Sequence, residues 1–233
     1  MKQTSRSGST ALTLPLLLVL CAGSPAGGAA GVSGDEAFAL PAARVDRSMT
    51  VERALALRRS VREFAPDALP LSAVSQLLWA AQGVTDPKGH RTAPSAGALY
   101  PVETYVVVGR VSELRPGVYR YDPLAHRLLL ESEGDARPAV VKATHRQAWV
   151  ADASVIVVLA AVYERTERKY GERAARYVHM EVGHAAQNVY LQAGALGLGT
   201  TMVGAFDDEK LARALGLPAQ HCPLGLLPIG KPR

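Results

Sequence analysis

A short basic cluster near residue 60 has the residue types that bind a phosphate group. Arg58-Arg59-Ser60-Val61-Arg62 places three guanidinium groups and one hydroxyl within five residues. Forked guanidinium donors pair with two phosphate oxygens at once, and a hydroxyl or amide completes such a site. If the preceding helix ends in a turn here, these side chains converge on one phosphate monoester. The same residues are equally compatible with a solvated basic helix end, which the helix dipole favours.

The segment Pro94–Pro101 (PSAGALYP) is a second candidate for ligand binding. Its residues are mostly small, and the prolines at its two ends restrict its shape. Gly97 allows the backbone to approach a flat ligand closely. Loops held rigidly on a scaffold often bind ligands, although a simple turn could have the same composition.

The glycine-rich segment Gly197–Phe206 (GLGTTMVGAF) is not a dinucleotide-binding fingerprint. Gly197 and Gly199 have the required spacing, but Met202 occupies the position of the third glycine. The segment also follows a predicted helix and enters a predicted strand, which is the reverse of the order in that motif. A Rossmann fold is therefore not supported.

Hydrophobic periodicity and turn residues predict an α+β fold in which long helices flank a mixed sheet. Helices are predicted over residues 49–57, 72–83, 135–149, 172–195 and 208–215, and strands over 104–109, 117–122, 126–131, 153–160, 200–204 and 224–230. Ser48 or Thr50 is the predicted cap of the first helix, Ser72 of the second, and Asp207 or Asp208 of the last.

Composition limits the class of protein. The chain has 233 residues, of which 48% are hydrophobic and 20% charged, as in an ordinary globular domain. Its net charge of +5 comes from scattered arginines, and only 6% of residues are aromatic, so we expect no nucleic-acid partner. The two cysteines, Cys21 and Cys222, are too few for a disulfide framework or a thiolate metal site.

The first thirty residues have the pattern of a secretory signal peptide. Lys2 and Arg6 precede an apolar run over residues 11–21, and small residues follow as far as residue 31. We therefore expect a signal peptide at 1–30, a linker at 31–47 rich in Gly, Ala and Pro, and a folded domain at 48–233. The expected location is periplasmic, with Cys21 as an alternative lipid anchor. A true start near Met49 would instead leave the protein in the cytoplasm.

Taken together, the order and spacing of these motifs resemble the nitroreductase superfamily of FMN enzymes. The basic cluster, the Pro94–Pro101 loop and the Gly197–Phe206 segment carry this resemblance. Two further stretches, Arg168–Arg173 (RKYGER) and Arg176–Asn188 (RYVHMEVGHAAQN), are similar to the azoline-oxidase branch, the SagB/ThcOx-type dehydrogenases. The resemblance covers residues 49–233.

The resemblance implies a nitroreductase-like fold with a mixed, mainly antiparallel sheet, and a homodimer with FMN at the subunit interface. Arg58, Arg59, Ser60 and Arg62 would hold the phosphate, ribityl chain and pyrimidine edge of FMN, with a late phosphate contact from Lys231 or Arg233. Met202, Val203, Gly204 and Ala205 would line the isoalloxazine. Pro94, Ser95, Ala96, Gly97 and Leu99 would reach the flavin bound by the partner subunit. Lys169 and Tyr170 are the implied catalytic residues for proton handling.

The implied reaction is ping-pong electron transfer through FMN, and its direction stays open. One direction is reduction of nitroaromatics or quinones with NAD(P)H as donor, and the other is dehydrogenation of an azoline in a small molecule or peptide. The flavin supplies the hydride chemistry, and a phenol such as Tyr170 can supply or accept the proton. A helix-end tyrosine that only packs its ring is the alternative for Tyr170.

Other kinds of site fit the sequence less well. His179 and His184 are five residues apart, about 500° around a helix, so they diverge and we expect no metal site. Ser95 lacks the preceding glycine of a hydrolase nucleophile elbow, because Ala93 stands there. A non-catalytic flavin-binding protein of the cell envelope stays open as the alternative function.

Overall fold

The computed structural model describes residues 36–46, 48–145 and 147–233. A seven-stranded sheet runs through the molecule in the order β1-β4-β3-β2-β5-β7-β6, and all neighbouring strands pair antiparallel. The strands are β1 (Ala37–Ala39), β2 (Val102–Val108), β3 (Gly117–Asp122), β4 (Arg127–Glu133), β5 (Val155–Ala161), β6 (Gly199–Thr200) and β7 (Cys222–Gly230). A parallel bridge between Ser60 and Thr200 extends the sheet beyond β6. The predicted α+β class is confirmed.

Helices cover both faces of this sheet. They are α1 (Val51–Leu57), α2 (Leu71–Gln82), α3 (Arg137–Ala143), α4 (Tyr163–Tyr170), α5 (Ala174–Ala195) and α6 (Asp208–Leu215). Residues of α2 and α5 form one hydrophobic core with one face of the sheet, and residues of α3 and α6 form a second core with the other face. Because β5 is buried between the two cores, every one of its residues is apolar and buried, as its continuous apolar sequence predicts.

Local capping explains where several helices begin. The Thr50 hydroxyl accepts a hydrogen bond from the Arg53 amide at the start of α1, and the Asp207 carboxylate accepts one from the Lys210 amide at the start of α6. The predicted Ser72 cap of α2 is wrong. That helix begins one residue earlier, at Leu71, whose amide donates to the Glu113 carboxylate at 2.9 Å.

Tertiary contacts divide the helix predicted over residues 135–149. The α3 helix ends at Ala143, because Thr144 is extended and pairs with Phe206. The Gln147 side chain then donates to the Ala205 carbonyl, and a short 3-10 helix follows at Ala148–Asp152. A distant segment of the chain thus supplies hydrogen-bond partners that the local pattern cannot reveal.

The helix predicted over residues 172–195 is confirmed as α5, which begins at Ala174. A separate helix that was not predicted, α4, precedes it over Tyr163–Tyr170. Gly171 ends α4 with a positive φ of 53°, a conformation that glycine adopts at little cost. This break places Lys169 and Tyr170 in the last turn of α4.

Two further expectations need correction. The strand predicted over residues 200–204 is reduced to Gly199–Thr200, with an isolated bridge between Val203 and Leu226. Within the expected linker, Ala37–Ala39 form β1 on the edge of the sheet, and Leu40 is buried, so this part of it belongs to the domain.

The expected signal peptide and Cys21 lie outside the described residues and stay predictions. None of the helices in the part of the chain that the structure describes is long and apolar enough to cross a bilayer.

Candidate functional site

The basic cluster lies in a turn, as a phosphate site requires. The α1 helix ends at Leu57, and Arg58 leaves the helical conformation with φ −53° and ψ 123°. Beyond it, Ser60 pairs with Thr200 in a parallel bridge, and the Val61 amide donates to the Thr200 carbonyl at 3.0 Å. The cluster therefore begins at the C-cap of α1 and is then fixed against the β6 edge of the sheet.

Gly199 allows this turn to approach the sheet closely. A Cβ added at Gly199 would lie 2.6 Å from Val61 Cγ1, and such short contacts do not occur between real side chains. Gly199, one of the two glycines of the GLG sequence, therefore allows the basic turn to lie against the sheet. This role differs from the direct ligand contact that a nucleotide fingerprint would give it.

Tyr190 of α5 connects the basic turn to the Met202 segment. Its hydroxyl accepts a hydrogen bond from the Met202 amide at 2.6 Å and donates to the Thr201 hydroxyl at 3.2 Å. The Arg58 guanidinium lies 5.4 Å from the centre of the ring. Burial raises the pKa of the Tyr190 phenol, but its hydrogen bonds, including one with Ser60, and the charge of Arg58 outweigh burial and place the pKa below its ordinary value.

The sequence reasoning missed Tyr190 as a functional residue. Its signal was weak, because a single tyrosine in a long helix is most often a packing residue. A polar aromatic residue on the apolar side of α5, where its neighbour Val189 is buried, was the available indication.

The arginines of the turn carry positive charge that no neighbouring carboxylate balances. Within residues 36–46, 48–145 and 147–233, no ion pair involves Arg58, Arg59 or Arg62. The Arg59 guanidinium donates to the carbonyls of Ala56 and Arg58, and that of Arg62 lies 6.0 Å from the Trp149 ring centre. Unpaired guanidinium groups beside a serine fit the phosphate of a nucleotide such as FMN.

The C-terminal residues follow the chain that leaves the basic turn. The Arg233 amide donates to the Glu63 carbonyl, and the Lys231 carbonyl accepts from the Ala65 amide. The Lys231 ammonium forms an ion pair with Asp67 at 2.9 Å. Lys231 is therefore already paired. Within the described part of the chain, Arg233 is held by its backbone, which bonds to Glu63 next to the turn.

The segment predicted to line the flavin is exposed in its second half. Val203 is buried and pairs with Leu226, and the half-buried Met202 side chain packs over Gly225. Gly204 and Ala205 are exposed. Of the four predicted residues, these last two leave space for a flat ligand.

The Pro94–Pro101 loop has an unusual and well-anchored conformation. Gly97, Ala98 and Tyr100 all have positive φ, at 64°, 54° and 46°. Such values are uncommon for residues other than glycine and indicate a shape imposed by surrounding contacts. One such contact is the Arg165 guanidinium, which donates to the Tyr100 carbonyl at 2.9 Å.

The structure brings this loop together with both predicted catalytic residues. A Cβ added at Gly97 would lie 2.8 Å from Lys169 Nζ and 2.9 Å from Tyr170 Oη. The Tyr170 ring packs edge-on against Tyr177 with centres 4.9 Å apart, and Lys169 Nζ lies 5.5 Å from the Tyr170 ring centre. A cation, a phenol and an exposed loop segment thus share one surface.

The basic turn and the Pro94–Pro101 loop contact α5 at different positions along its axis. Tyr190 contacts the basic turn group, while Glu181 accepts a hydrogen bond from the Ala96 amide of the loop. Nine residues separate these helix positions, which corresponds to about 13.5 Å along the axis. In one protomer the predicted site is therefore present as two separate halves.

The histidines of α5 make structural contacts. His179 Nε2 lies 2.7 Å from the Tyr163 hydroxyl, and His184 lies close enough to Glu181 to affect it electrostatically. Among the described residues, no three His, Cys, Asp or Glu side chains group in a way that could hold a metal ion.

The family model for the Nitroreductase family matches residues 55–231, most of the chain. The protein belongs to the nitroreductase family. A Methanocaldococcus jannaschii protein named as a nitroreductase is 46% identical over 181 residues, which cover 78% of this chain and 90% of that protein. The crystal structure of a Ralstonia eutropha protein described as a nitroreductase superposes with a TM-score of 0.76 at 30% identity, covering 90% of this chain and 98% of that one.

More distant relatives include a processing protein and a protein crystallised with FMN. The microcin B17-processing protein McbC of Escherichia coli is 27% identical over 64% of this chain and 57% of its own length. A Desulfovibrio desulfuricans nitroreductase, whose crystal structure is a complex with FMN, superposes with a TM-score of 0.58 at 23% identity, covering 79% of this chain and 87% of that one. Membership of this family supports an oxidoreductase activity for this protein.

Proposed function

We propose that this protein is an FMN-dependent oxidoreductase that works by a ping-pong mechanism. The observation that carries the proposal is the unpaired basic turn at Arg58–Arg62, joined through Tyr190 to the Met202 amide, two residues before the exposed Gly204. A phosphate and a flat ring system bound to one ligand would occupy these two features together. The FMN bound in the Desulfovibrio relative supports this cofactor.

Each group of residues has a defined task in this proposal. Arg58, Ser60 and Arg62 bind the phosphate and the pyrimidine edge, and positive charge at that edge favours the reduced state of the cofactor. When bound, FMN supplies hydride transfer. The Tyr170 hydroxyl donates a proton to the substrate or accepts one from it, and the Lys169 ammonium stabilises negative charge on that hydroxyl.

The first test of the proposal is cofactor binding. We expect the purified protein, incubated with FMN and desalted, to show absorbance bands near ~370 and ~450 nm from bound oxidised flavin. The reduced protein should then be reoxidised by a nitroaromatic or quinone acceptor. A well-folded protein that stays colourless would contradict the proposal. A yellow protein that reduces no acceptor and oxidises no azoline would support the non-catalytic flavin-binding alternative.

The proposal includes two alternative substrate classes. The relationship to the Methanocaldococcus nitroreductase supports reduction of nitroaromatics or quinones with NAD(P)H. The position of Lys169 and Tyr170 beside Gly97, together with the relationship to McbC, supports SagB-type dehydrogenation of an azoline in a peptide or small molecule. Anaerobic mixing of the oxidised flavoprotein with NAD(P)H or with a thiazoline compound distinguishes them, because only the true reductant bleaches the flavin.

We also propose that two copies of the chain form a homodimer that completes two FMN sites. Val51 and Leu55 of α1 and Met180 of α5 are 65%, 52% and 54% exposed. The exposed side of α5 also carries Gly183 and Gly194, which permit close packing of a second helix. An apolar face of this kind is typical of a subunit interface. In the dimer, the loop and Tyr170 of one protomer would meet the basic turn of its partner.

Mixed dimers test whether each site uses both protomers. One chain carries Arg58→Ala with Arg62→Ala, and the other carries Tyr170→Phe. If each site combines a basic turn with the partner's loop, a mixed dimer holds one intact site and should regain about half of wild-type turnover. Turnover is measured on tandem-tagged, purified mixed dimers. If the complete site lay within one protomer, every site would stay defective and the mixed dimer inactive.

We further propose that the protein is exported through the signal peptide at residues 1–30. A lipid on Cys21, or a start at Met49 with a cytoplasmic location, are the variants of this proposal. The mass of the protein isolated from its own cells distinguishes the three.

A further inference from the structure

A buried carboxylate lies beneath the Pro94–Pro101 loop and has no part in the proposed chemistry. Glu181 is only 5% exposed, on the side of α5 that faces the loop. Its Oε1 accepts a hydrogen bond from the Ala96 amide at 2.8 Å, and it is also hydrogen bonded to the Ser95 side chain. Buried charges without a role are rare, because taking a carboxylate out of water is costly.

Ser95 extends this contact to the other end of the loop. Its hydroxyl oxygen accepts a hydrogen bond from the Tyr100 amide at 2.8 Å. Since that oxygen is an acceptor for Tyr100, its hydrogen is free to point towards the Glu181 carboxylate. One carboxylate thus holds Ala96 directly and Tyr100 through Ser95.

The residues from Gly97 to Tyr100 need such support. Gly97, Ala98 and Tyr100 have positive φ, and for alanine and tyrosine this conformation is strained. Strained backbone persists only where surrounding contacts over-determine it. Without the carboxylate, the loop would relax towards ordinary turn geometry and Gly97 would move away from Lys169 and Tyr170.

We propose that Glu181 is a positioning residue whose buried carboxylate holds the loop in the shape that places Gly97 against Lys169 and Tyr170. The contacts that hold the loop are made within the chain and involve no cofactor. The effect of Glu181 on turnover rests on the function proposed above. Holding the loop gives the stretch from His179 to His184 a role that is different from metal binding.

Hydrogen exchange of the loop amides tests the anchor directly, without flavin or substrate. In Glu181→Ala, we expect the Ala96 and Tyr100 amides to exchange at least ~10-fold faster than in the wild-type protein, while amides in the middle of α5 are unchanged. Glu181→Gln keeps an acceptor for Ala96 and should restore most of the protection. Unchanged exchange at Ala96 and Tyr100 in Glu181→Ala would overturn the proposal.

A second variant keeps the test decisive if Glu181→Ala fails to fold. Ser95→Ala removes the acceptor of the Tyr100 amide and leaves the bond between Glu181 and Ala96 in place. We expect faster exchange at Tyr100 and normal exchange at Ala96. If the Tyr100 amide in Ser95→Ala were as protected as in the wild-type protein, the two-point anchor would be contradicted.

The charge of Glu181 gives a signature that a merely structural contact would not give. Burial raises the pKa of the Glu181 carboxyl, although the Ala96 amide, Ser95 and the His184 imidazole on α5 each oppose the shift. The folded protein therefore takes up this proton at a higher pH than the unfolded chain, and ionised Glu181 costs stability that is recovered as the pH falls below the folded pKa. A protonated carboxyl is also a weaker acceptor for Ala96.

We therefore expect mild acid to weaken the hydrogen bond between Glu181 and the loop, although protonation of Glu181 stabilises the folded protein. Exchange of the Ala96 amide, corrected for the intrinsic effect of pH, should become faster as Glu181 is protonated. Glu181→Gln should abolish this pH dependence and should be at least as stable as wild type at neutral pH. The same pH profile in Glu181→Gln as in wild type would overturn the role of the charge. If the loop amides exchanged as expected in all variants but the protein bound no FMN, the proposed function would be contradicted and the role of Glu181 would not.

Discussion

Replacement of Arg58 and Arg62 by alanine in the same chain is expected to abolish FMN retention while the fold stays intact. Hydrogen bonds to charged groups contribute about 1.5–3 kcal/mol each, so the loss of two weakens binding by about 3–6 kcal/mol, or ~100-fold to ~10,000-fold. Neither arginine forms an ion pair among the residues that the structure describes, and so its removal leaves no buried carboxylate unpaired. FMN titration by fluorescence, with thermal unfolding of the apoprotein, measures the two effects.

The matched control removes the same charge elsewhere. Arg127 and Arg213 are solvent-accessible arginines that pair with Asp122 and Glu209, distant in sequence from the basic turn. Their double replacement by alanine should leave FMN affinity within about twofold and stability within about 1 kcal/mol. Unchanged flavin occupancy in the Arg58 and Arg62 variant would exclude this turn as the phosphate site. An equal loss in the control would show a general effect of charge.

Tyr170→Phe is expected to slow turnover by at least ~100-fold without releasing FMN, because a positioned general acid or base contributes 10²–10⁴-fold. The Tyr170 hydroxyl packs closely against Gly97, in an exposed part of the loop, and lies close to the Lys169 ammonium. The variant keeps the ring that packs against Tyr177, so the last turn of α4 should not move. Single-turnover bleaching or recovery of the flavin band at ~450 nm measures the reacting step alone.

Tyr177→Phe provides the control for this variant. It removes an identical hydroxyl from the ring that packs against Tyr170. We expect near wild-type rates from it, and full flavin occupancy in both variants. Wild-type single-turnover rates in Tyr170→Phe would remove Tyr170 from the mechanism, and a slow Tyr177→Phe would transfer the proton-handling role to Tyr177.

Elements governed by contacts between near neighbours in sequence could be predicted from the sequence. The caps at Thr50 and Asp207 act within one helical turn, and the β3–β4 hairpin turns where Asp122 accepts two backbone amides a few residues later. The uninterrupted apolar run of β5 indicates burial on both faces wherever the strand lies. The residue types of the basic cluster likewise indicate an anion site before any geometry is known.

Elements governed by distant partners could not be predicted. The α3 helix ends because Thr144 finds Phe206, and β6 is short because the Met202 amide turns towards Tyr190. The short strand β1 has few residues of its own and exists through pairing with β4. Local propensity is weak against such contacts, since one satisfied backbone hydrogen bond matches the preference of several residues.

The sequence by itself determined the family and the chemistry that its residues can offer: an arginine-rich phosphate turn, a loop open to a flat ligand, and a lysine and tyrosine suited to proton transfer. Only the tertiary structure decided which of these meet. It places Lys169 and Tyr170 against Gly97, links Arg58 to Met202 through Tyr190, and sets the two groups about 13.5 Å apart along α5. The reason is physical, because residue type limits the chemistry of a side chain, whereas long-range packing and hydrogen bonding alone fix the distances between side chains.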